Sequence, residues 1–395
     1  MRLLCSCDRH NYGDLLFPIV TRWGMRAVPG FACSEYGMRR SDLSAIGALP
    51  SLGMSDIYKD AEDRDVILVA GGENLAQTWL VMHLTLLGAS SSNLLVRCAD
   101  KLGIAFAERL SRWRFRGRQE FPYILSPDQF RAGVRTMYNS MGGWPLRQYA
   151  PRDQFSIVRR LAKASFISVR EEESASILRG LDSTLPVRVA PDCVFMLSDM
   201  LPKEALARKA SPGVKDLVRE AGDYFCFQCH PRYGDANRDE LKRQLLILAK
   251  QSGLTIFLTP IGRIYSFEDD VFLDSLRSEL GDHARLLPAS ATIYDVAHTL
   301  ASARLFCGTS LHGVITGLTY GVPFVPLLSE DPKLGNNVRS WGLSDAFPQT
   351  AACDLASEGL RSLGTSGQFV EERAVQLRIA ARDNMRSLAE CILDG

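Results

Sequence analysis

Several features that would narrow the role of this chain at once are missing from it. Lys and Arg (46) nearly cancel Asp and Glu (45) over 395 residues, leaving a formal net charge of +1, so no global field argues for nucleic acid as a partner. No uninterrupted apolar run is long enough to span a bilayer, and the opening MRLLCSCDRHNYGD lacks the long apolar core of a signal peptide. A cytoplasmic protein is the simplest expectation. The G-x-G-x-x-G spacing of a dinucleotide fingerprint is absent, as are internal repeats, low-complexity tracts and any cluster of metal-ligand residues.

Cysteine supplies one string that needs a decision. Cys226-Phe227-Gln228-Cys229-His230 has the C-x-x-C-H form of a haem attachment site or half a zinc site, yet no second pair follows at zinc-ribbon spacing. If Tyr224 to Cys229 is a strand, the two thiols point to opposite faces. Packing is therefore the favoured reading, and no metal or cofactor is expected. The ten cysteines are expected to be reduced: Cys5, Cys7, Cys193, Cys226 and Cys307 mostly sit inside predicted strands, where free Cys packs as a small hydrophobe.

What is present is alternation. In the first half, Leu3 to Cys7, Val66 to Ala70, Val134 to Tyr138, Phe166 to Val169 and Val187 to Ala190 are short apolar runs separated by amphipathic stretches, the pattern of a parallel sheet wrapped by helices. The polar stretch Leu201 to Asp223 reads as a linker. A second series follows, with strands at 224–229, 254–260 and 284–287 and helices at 237–251, 267–280 and 293–303. At this length two domains are the default: an N-terminal Rossmann-like domain over 1–205, a second over 220–350, and a C-terminal helix within 366–395 that packs back across the junction.

The most informative stretch is ARLFCGTSLHGVITGLTYGVPFVPLL, residues 303–328. Arg304 to Cys307 fits a buried strand ending at Gly308. Thr309 and Ser310 offer N-caps to a helix from Leu311 to Tyr320, which Gly321-Val322-Pro323 stops before another strand. The first turn of such a helix carries unpaired N–H groups and the positive end of the dipole, so phosphate or carboxylate is favoured there. His312 sits in that turn. Taken without context it reads as a capping or packing histidine.

Context comes from five motifs. The run Thr309-Ser310-Leu311-His312-Gly313 with its small-residue helix resembles the signature of the polysaccharide pyruvyl transferase family. Asn11-Tyr12-Gly13-Asp14 looks like that family's Asn-x-Gly-Asp loop, and Gly71-Gly72-Glu73-Asn74-Leu75 is similar to its glycine-rich strand end. Ser168-Val169-Arg170-Glu171 resembles its Ser-x-Arg-Glu segment, and Pro191-Asp192-Cys193-Val194-Phe195 its Pro-Asp-x-Val-Phe segment. The resemblance spans about residues 1 to 345 and departs from the family at Ser310, where many relatives carry arginine.

This resemblance implies an α/β fold of two Rossmann-like domains facing a cleft, similar to GT-B glycosyltransferases. It also implies transfer of pyruvate from phosphoenolpyruvate to sugar hydroxyls, often as a ketal, on an exopolysaccharide, a cell-wall glycan or a lipid-linked precursor. Phosphoenolpyruvate is then a donor substrate, and no cofactor is required. Such a donor needs cations and aligned N–H groups. His312 and Arg170 are the catalytic candidates, with Thr309, Ser310, Leu311, Gly313, Lys333 and Arg339 on the donor side. Arg263 is a further cation that could make up for Ser310. Asn11, Asp14, Glu73 and Asn74 are the acceptor-side candidates, Asp14 as a base. For Arg170 a structural salt bridge to Glu171, Glu172, Glu173 or Asp192 is the alternative, and for the glycine loops it is tight turning alone.

Other functions stay open on the sequence: a glycosyltransferase using a nucleotide sugar in the same kind of cleft, or a non-catalytic glycan-binding protein of the same fold. The segment Arg109 to Arg118, RLSRWRFRGR, interleaves five arginines with Trp113 and Phe115. Peripheral contact with a membrane surface or an anionic lipid carrier is one reading, and would place the protein at the inner face of the membrane. A solvated basic face is the commoner outcome and the favoured one.

Overall fold

The computed structural model describes residues 1–394. The chain divides into two compact units, one of residues 1–44, 48–193 and 381 onward, the other of 45–47 and 194–380.

The first unit is built on seven strands: β1 (Arg2–Leu4), β2 (Ser34–Gly37), β3 (Leu52–Gly53), β4 (Val66–Ala70), β5 (Arg135–Met141), β6 (Phe166–Val169) and β7 (Val187–Val189). Their order is β3-β2-β1-β4-β5-β6-β7, every pairing parallel. All five residues of β4 are buried, as a strand covered by helices on both faces must be. Helices Trp79–Leu86, Ala89–Leu102 and Ile104–Arg114 form one long excursion between β4 and β5.

The second unit carries β8 (Tyr224–Gln228), β9 (Thr255–Leu258), a small hairpin of β10 (Arg263–Ile264) and β11 (Phe267–Glu268), then β12 (Ala284–Leu286), β13 (Leu305–Gly308) and β14 (Phe324–Pro326). Its sheet runs β12-β9-β8-β13-β14, again all parallel. Its core gathers Phe225, Phe227, Leu245, Leu248, Leu258, Leu273, Leu305 and Leu327, each buried.

Three details differ from the sequence reading. The polar stretch after Leu201 is not a linker: helices Lys203–Lys209 and Pro212–Ala221 occupy it inside the second unit, and the units divide between Cys193 and Val194. Strands β2 and β3 were not anticipated, because Ser34-Glu35-Tyr36-Gly37 carries one large apolar residue in four and β3 has two residues. Finally, the residues expected to begin a helix at Phe267 first close the hairpin, and the helix starts at Asp269.

The C-terminal helix runs Gly367–Leu393. Its residues to Ala380 count with the second unit and those from Ala381 with the first. No helix among the described residues is long and apolar enough to cross a membrane.

Candidate functional site

In an open parallel sheet, ligands bind beyond the carboxyl ends of the strands, at the place where strand order reverses. In the second unit that place lies between β8 and β13, which pair with Gly308 opposite Gln228. The loops after these two strands therefore emerge side by side. One carries Cys229 and His230; the other carries Thr309 to Gly313.

Hydrogen bonds lock them together. The His230 N–H donates to Thr309 Oγ1 at 2.9 Å, and the Thr309 N–H donates to Gln228 Oε1 at 3.2 Å. Ser310 is the N-cap of helix Leu311–Thr319, its hydroxyl accepting from the Gly313 N–H at 3.2 Å. The Gly313 N–H is thus committed to the cap. A Cβ at position 313 would overlap the Phe306 ring and crowd Ile261 Cδ1 at 2.8 Å, so glycine is what lets this turn settle on β13. His312 is half-buried in that turn, Thr309 is buried, and Ser310 is partly exposed.

Beneath the loops lies Asp269, 1% exposed. Its Oδ2 accepts from Gln228 Nε2 at 2.8 Å, from the Gly262 N–H at 2.8 Å and from the Ile261 N–H at 3.1 Å. Burial pushes this carboxyl up to about 7, against the pull of those three donors. Gln228 thereby ties the loop after β9 to Thr309. Neither Gln228 nor Asp269 stood out in the sequence.

His230 was also missed as a site residue. Its ring stands edge-on to Phe267, centroids 4.9 Å apart, and Lys333 Nζ lies 5.3 Å from the same Phe267 ring while pairing with Asp331 at 2.8 Å. Burial and the charge of Lys333 lower the His230 pKa, with Asp331 opposing. Lys333 is therefore the predicted cation that the structure associates with these loops. Arg339 bonds Asn336 Oδ1 at 2.5 Å and reaches Gln349, and Arg263 is bound to the carbonyls of Pro288 and Ala289.

The cysteines of the C-x-x-C-H string behave as packing residues. The Cys226 thiol meets the Thr299 carbonyl, whereas Cys229 joins the cluster of Phe227, Leu241 and Leu245. Among the described residues no group of three or more His, Cys, Asp or Glu is placed to hold a metal.

In the first unit, order reverses between β1 and β4. Asn11 to Asp14 and Gly71 to Asn74 flank that point. Asn11 Nδ2 donates to Asp14 Oδ2 at 3.0 Å, and both residues are partly exposed. Asn74 differs: it is 3% exposed, its amide donates to the Gly71 carbonyl at 2.8 Å, and its Oδ1 accepts from Ser6. Its side chain shapes the glycine turn and is not offered to a sugar.

Arg170 is likewise turned inward. Its side chain is 2% exposed and is ringed by Glu73 (2.5 Å), Asp192 (3.2 Å) and Glu171 (3.9 Å). Burial pulls the guanidinium pKa down, but the three carboxylates outweigh it and the net direction is up. The salt-bridge alternative is what is observed, with Glu73 as an added partner. The guanidinium is held by carboxylates rather than presented to an anion, and Glu73 is spent on Arg170 rather than on an acceptor. Gly142 makes this possible, since a Cβ there would overlap the Glu73 carboxylate.

No curated protein sequence matches the chain. Among solved structures it is similar to the UDP-GlcNAc 2-epimerase of Neisseria meningitidis bound to UDP-GlcNAc, with 12% identity, TM-score 0.56 and 100% of both chains covered. It is also similar to the Methanocaldococcus jannaschii UDP-GlcNAc 2-epimerase in complex with UDP-GlcNAc and UDP, at 11% identity, TM-score 0.53 and 96% and 98% coverage. A third similar structure is Anabaena HepE in complex with UDP and glucose, at 12% identity, TM-score 0.52 and 100% of both chains. At such identities the likeness is one of fold, and it is the GT-B-like, two-unit α/β fold expected from the sequence. The family resemblance is found again over a defined span that holds Arg170, Asp192, His230 and His312 but neither Asn11–Asp14 nor Gly71–Asn74: the polysaccharide pyruvyl transferase family model matches residues 148–331.

Proposed function

We propose that the protein transfers pyruvate from phosphoenolpyruvate to the hydroxyls of a glycan or its lipid-linked precursor, releasing phosphate. The observation that carries this reading is the second unit's strand-order reversal, where His230 and the Thr309–His312 turn emerge from adjacent strands inside the family-matched span. The N-terminal end of helix Leu311–Thr319 suits the donor phosphate, and Lys333 supplies the cation that Ser310 does not.

Chemically, His312 donates a proton to C3 of the donor, which makes C2 electrophilic. An acceptor hydroxyl adds to C2 through oxygen and gives up its proton. The C2–O bond to phosphate then breaks, phosphate departing with the electron pair. Addition of a second hydroxyl to the oxocarbenium carbon closes the ketal, with loss of another proton. Asn11 and Asp14 are the acceptor-side candidates that remain accessible. Arg170 and Glu73 position the loops of the first unit.

The test is phosphate release from phosphoenolpyruvate in the presence of glycan acceptors, compared between wild type and His312→Gln. Loss of roughly 100-fold or more in rate, with the thermal unfolding midpoint kept, is expected for removal of a general acid. Near-normal turnover in the variant rejects the acid role. Stabilisation by UDP sugars but not by phosphoenolpyruvate would replace the whole reading with that of a nucleotide-sugar glycosyltransferase.

A further inference from the structure

Residues 79–118, the three-helix excursion between β4 and β5, expose much more apolar surface than a solvated face requires. Leu94 (63% exposed), Leu102 (61%), Ile104 (72%), Phe106 (48%), Leu110 (38%) and Trp113 (74%) all belong to it. On helix Ile104–Arg114, Phe106, Leu110 and Trp113 recur at i, i+4 and i+7 and so form one stripe, while Ala107 and Ser111 are the buried positions. The helix therefore turns its large apolar side chains outward and its small ones inward. That is the reverse of an ordinary surface helix.

Charge marks the same segment. It contains seven Lys and Arg (Arg97, Lys101, Arg109, Arg112, Arg114, Arg116 and Arg118) against Asp100 and Glu108, a local excess of five positive charges in a chain whose net charge is +1. Glu108 does not offset them at the surface, since its carboxylate turns back to accept the N–H groups of Trp79 (2.7 Å) and Leu80 (2.8 Å) at the start of helix Trp79–Leu86. Arg109 and Arg114 flank the apolar stripe on its two sides, by helical spacing. On helix Ala89–Leu102, Leu94, Arg97 and Lys101 repeat the combination at i, i+3 and i+7.

We propose that this excursion docks on the surface of an anionic lipid bilayer, the Phe106–Leu110–Trp113 stripe entering the headgroup boundary and the surrounding arginines and lysines meeting lipid phosphates. The occupant is chosen by the combination. An apolar stripe alone would suit a protein partner as well, whereas an apolar stripe ringed by cations fits an interface that is greasy below and negative above. Arginine and lysine stems add apolar length beside the stripe while keeping their heads in the phosphate layer. This inference is independent of the donor chemistry, because none of these residues belongs to the proposed site.

Co-sedimentation with vesicles tests it. The full chain is mixed with vesicles of phosphatidylcholine alone or of phosphatidylcholine with about a third phosphatidylglycerol, at low and at high salt. Binding to the anionic vesicles, at least about fivefold weaker on neutral ones and weakened again by salt, is expected. Phe106→Ser with Trp113→Ser should reduce binding roughly tenfold or more, and Arg109→Gln with Arg114→Gln roughly tenfold as well. These side chains are solvent-facing, so circular dichroism should show every variant folded.

Wild type remaining in the supernatant with anionic vesicles overturns the proposal, whatever the variants do. So does equal binding to neutral vesicles. A wild-type dimer by light scattering that Phe106→Ser with Trp113→Ser converts to monomer would mean that the stripe is covered by a second copy, and would overturn it too.

Discussion

Three carboxylates share one guanidinium at Arg170, and that arrangement sets what the residue can do. A buried cation surrounded by Glu73, Asp192 and Glu171 is costly to remove, because its loss leaves acids in a dry place with no counter-charge. Arg170→Met should therefore destabilise the first unit by roughly 3–5 kcal/mol, measured by urea unfolding. Arg170→Lys keeps the charge but loses the fork that reaches two acids at once, and should show the same thermal shift with phosphoenolpyruvate as wild type. A folded Arg170→Lys that no longer responds to the donor would instead make Arg170 a direct ligand. Nothing in Ser-Val-Arg-Glu distinguishes these roles, since both place an arginine at a strand end. The difference lies in Glu73, which is 97 residues away in sequence.

At the scale of elements, the chain of hydrogen bonds Asp269–Gln228–Thr309 joins the ends of β8, β9 and β13, and Asp269 makes it pH-sensitive. Its folded carboxyl sits near 7 against 3.8 for the ordinary group. Below about pH 4 the group is protonated in both states. Between there and 7 the unfolded chain has released the proton that the folded chain keeps, so this group's contribution to stability declines with rising pH, by about 1.4 kcal/mol per unit at most. Asp269→Asn should flatten that slope, so that its stability relative to wild type improves from pH 4 to 7 in urea titrations. An unchanged slope would place the source elsewhere. Much at this scale was legible in the sequence. The unit from Leu305 to Pro326 and the helix at Leu311 follow from apolar periodicity and a serine cap, and the alternation of the second series predicted its parallel sheet. His230, Gln228 and Asp269 were not legible, because strand order decides which loops are neighbours, and order is not written in any local pattern. The linker expectation at 201–223 failed for a related reason: polarity there marks solvent-facing helices, not a boundary.

For the molecule as a whole, the partition of the C-terminal helix matters most. From Ala381 onward it behaves as part of the first unit. Arg135 donates to the carbonyls of Cys391 and Ile392 at 2.7 Å each, Asn384 Nδ2 donates to Asn139 Oδ1 at 2.8 Å, and Ala381, Met385 and Leu388 are buried. Asn139 lies on β5, and the same Asn384 amide also reaches Ser168 on β6, so these last turns brace the middle of the first sheet from a position more than 200 residues away in the chain. A chain ending at Ala380 loses that bracing and exposes the apolar surface under Met385 and Leu388, each worth a few kcal/mol if fully buried. Hydrogen exchange should then show protection falling in Val66–Ala70 and Arg135–Met141 while Tyr224–Gln228 and Leu305–Gly308 keep theirs, because the second unit retains all of its own residues. Equal loss in both sheets would mean that the helix stabilises the two units as one cooperative body, and the division at residues 380 and 381 would have no energetic meaning.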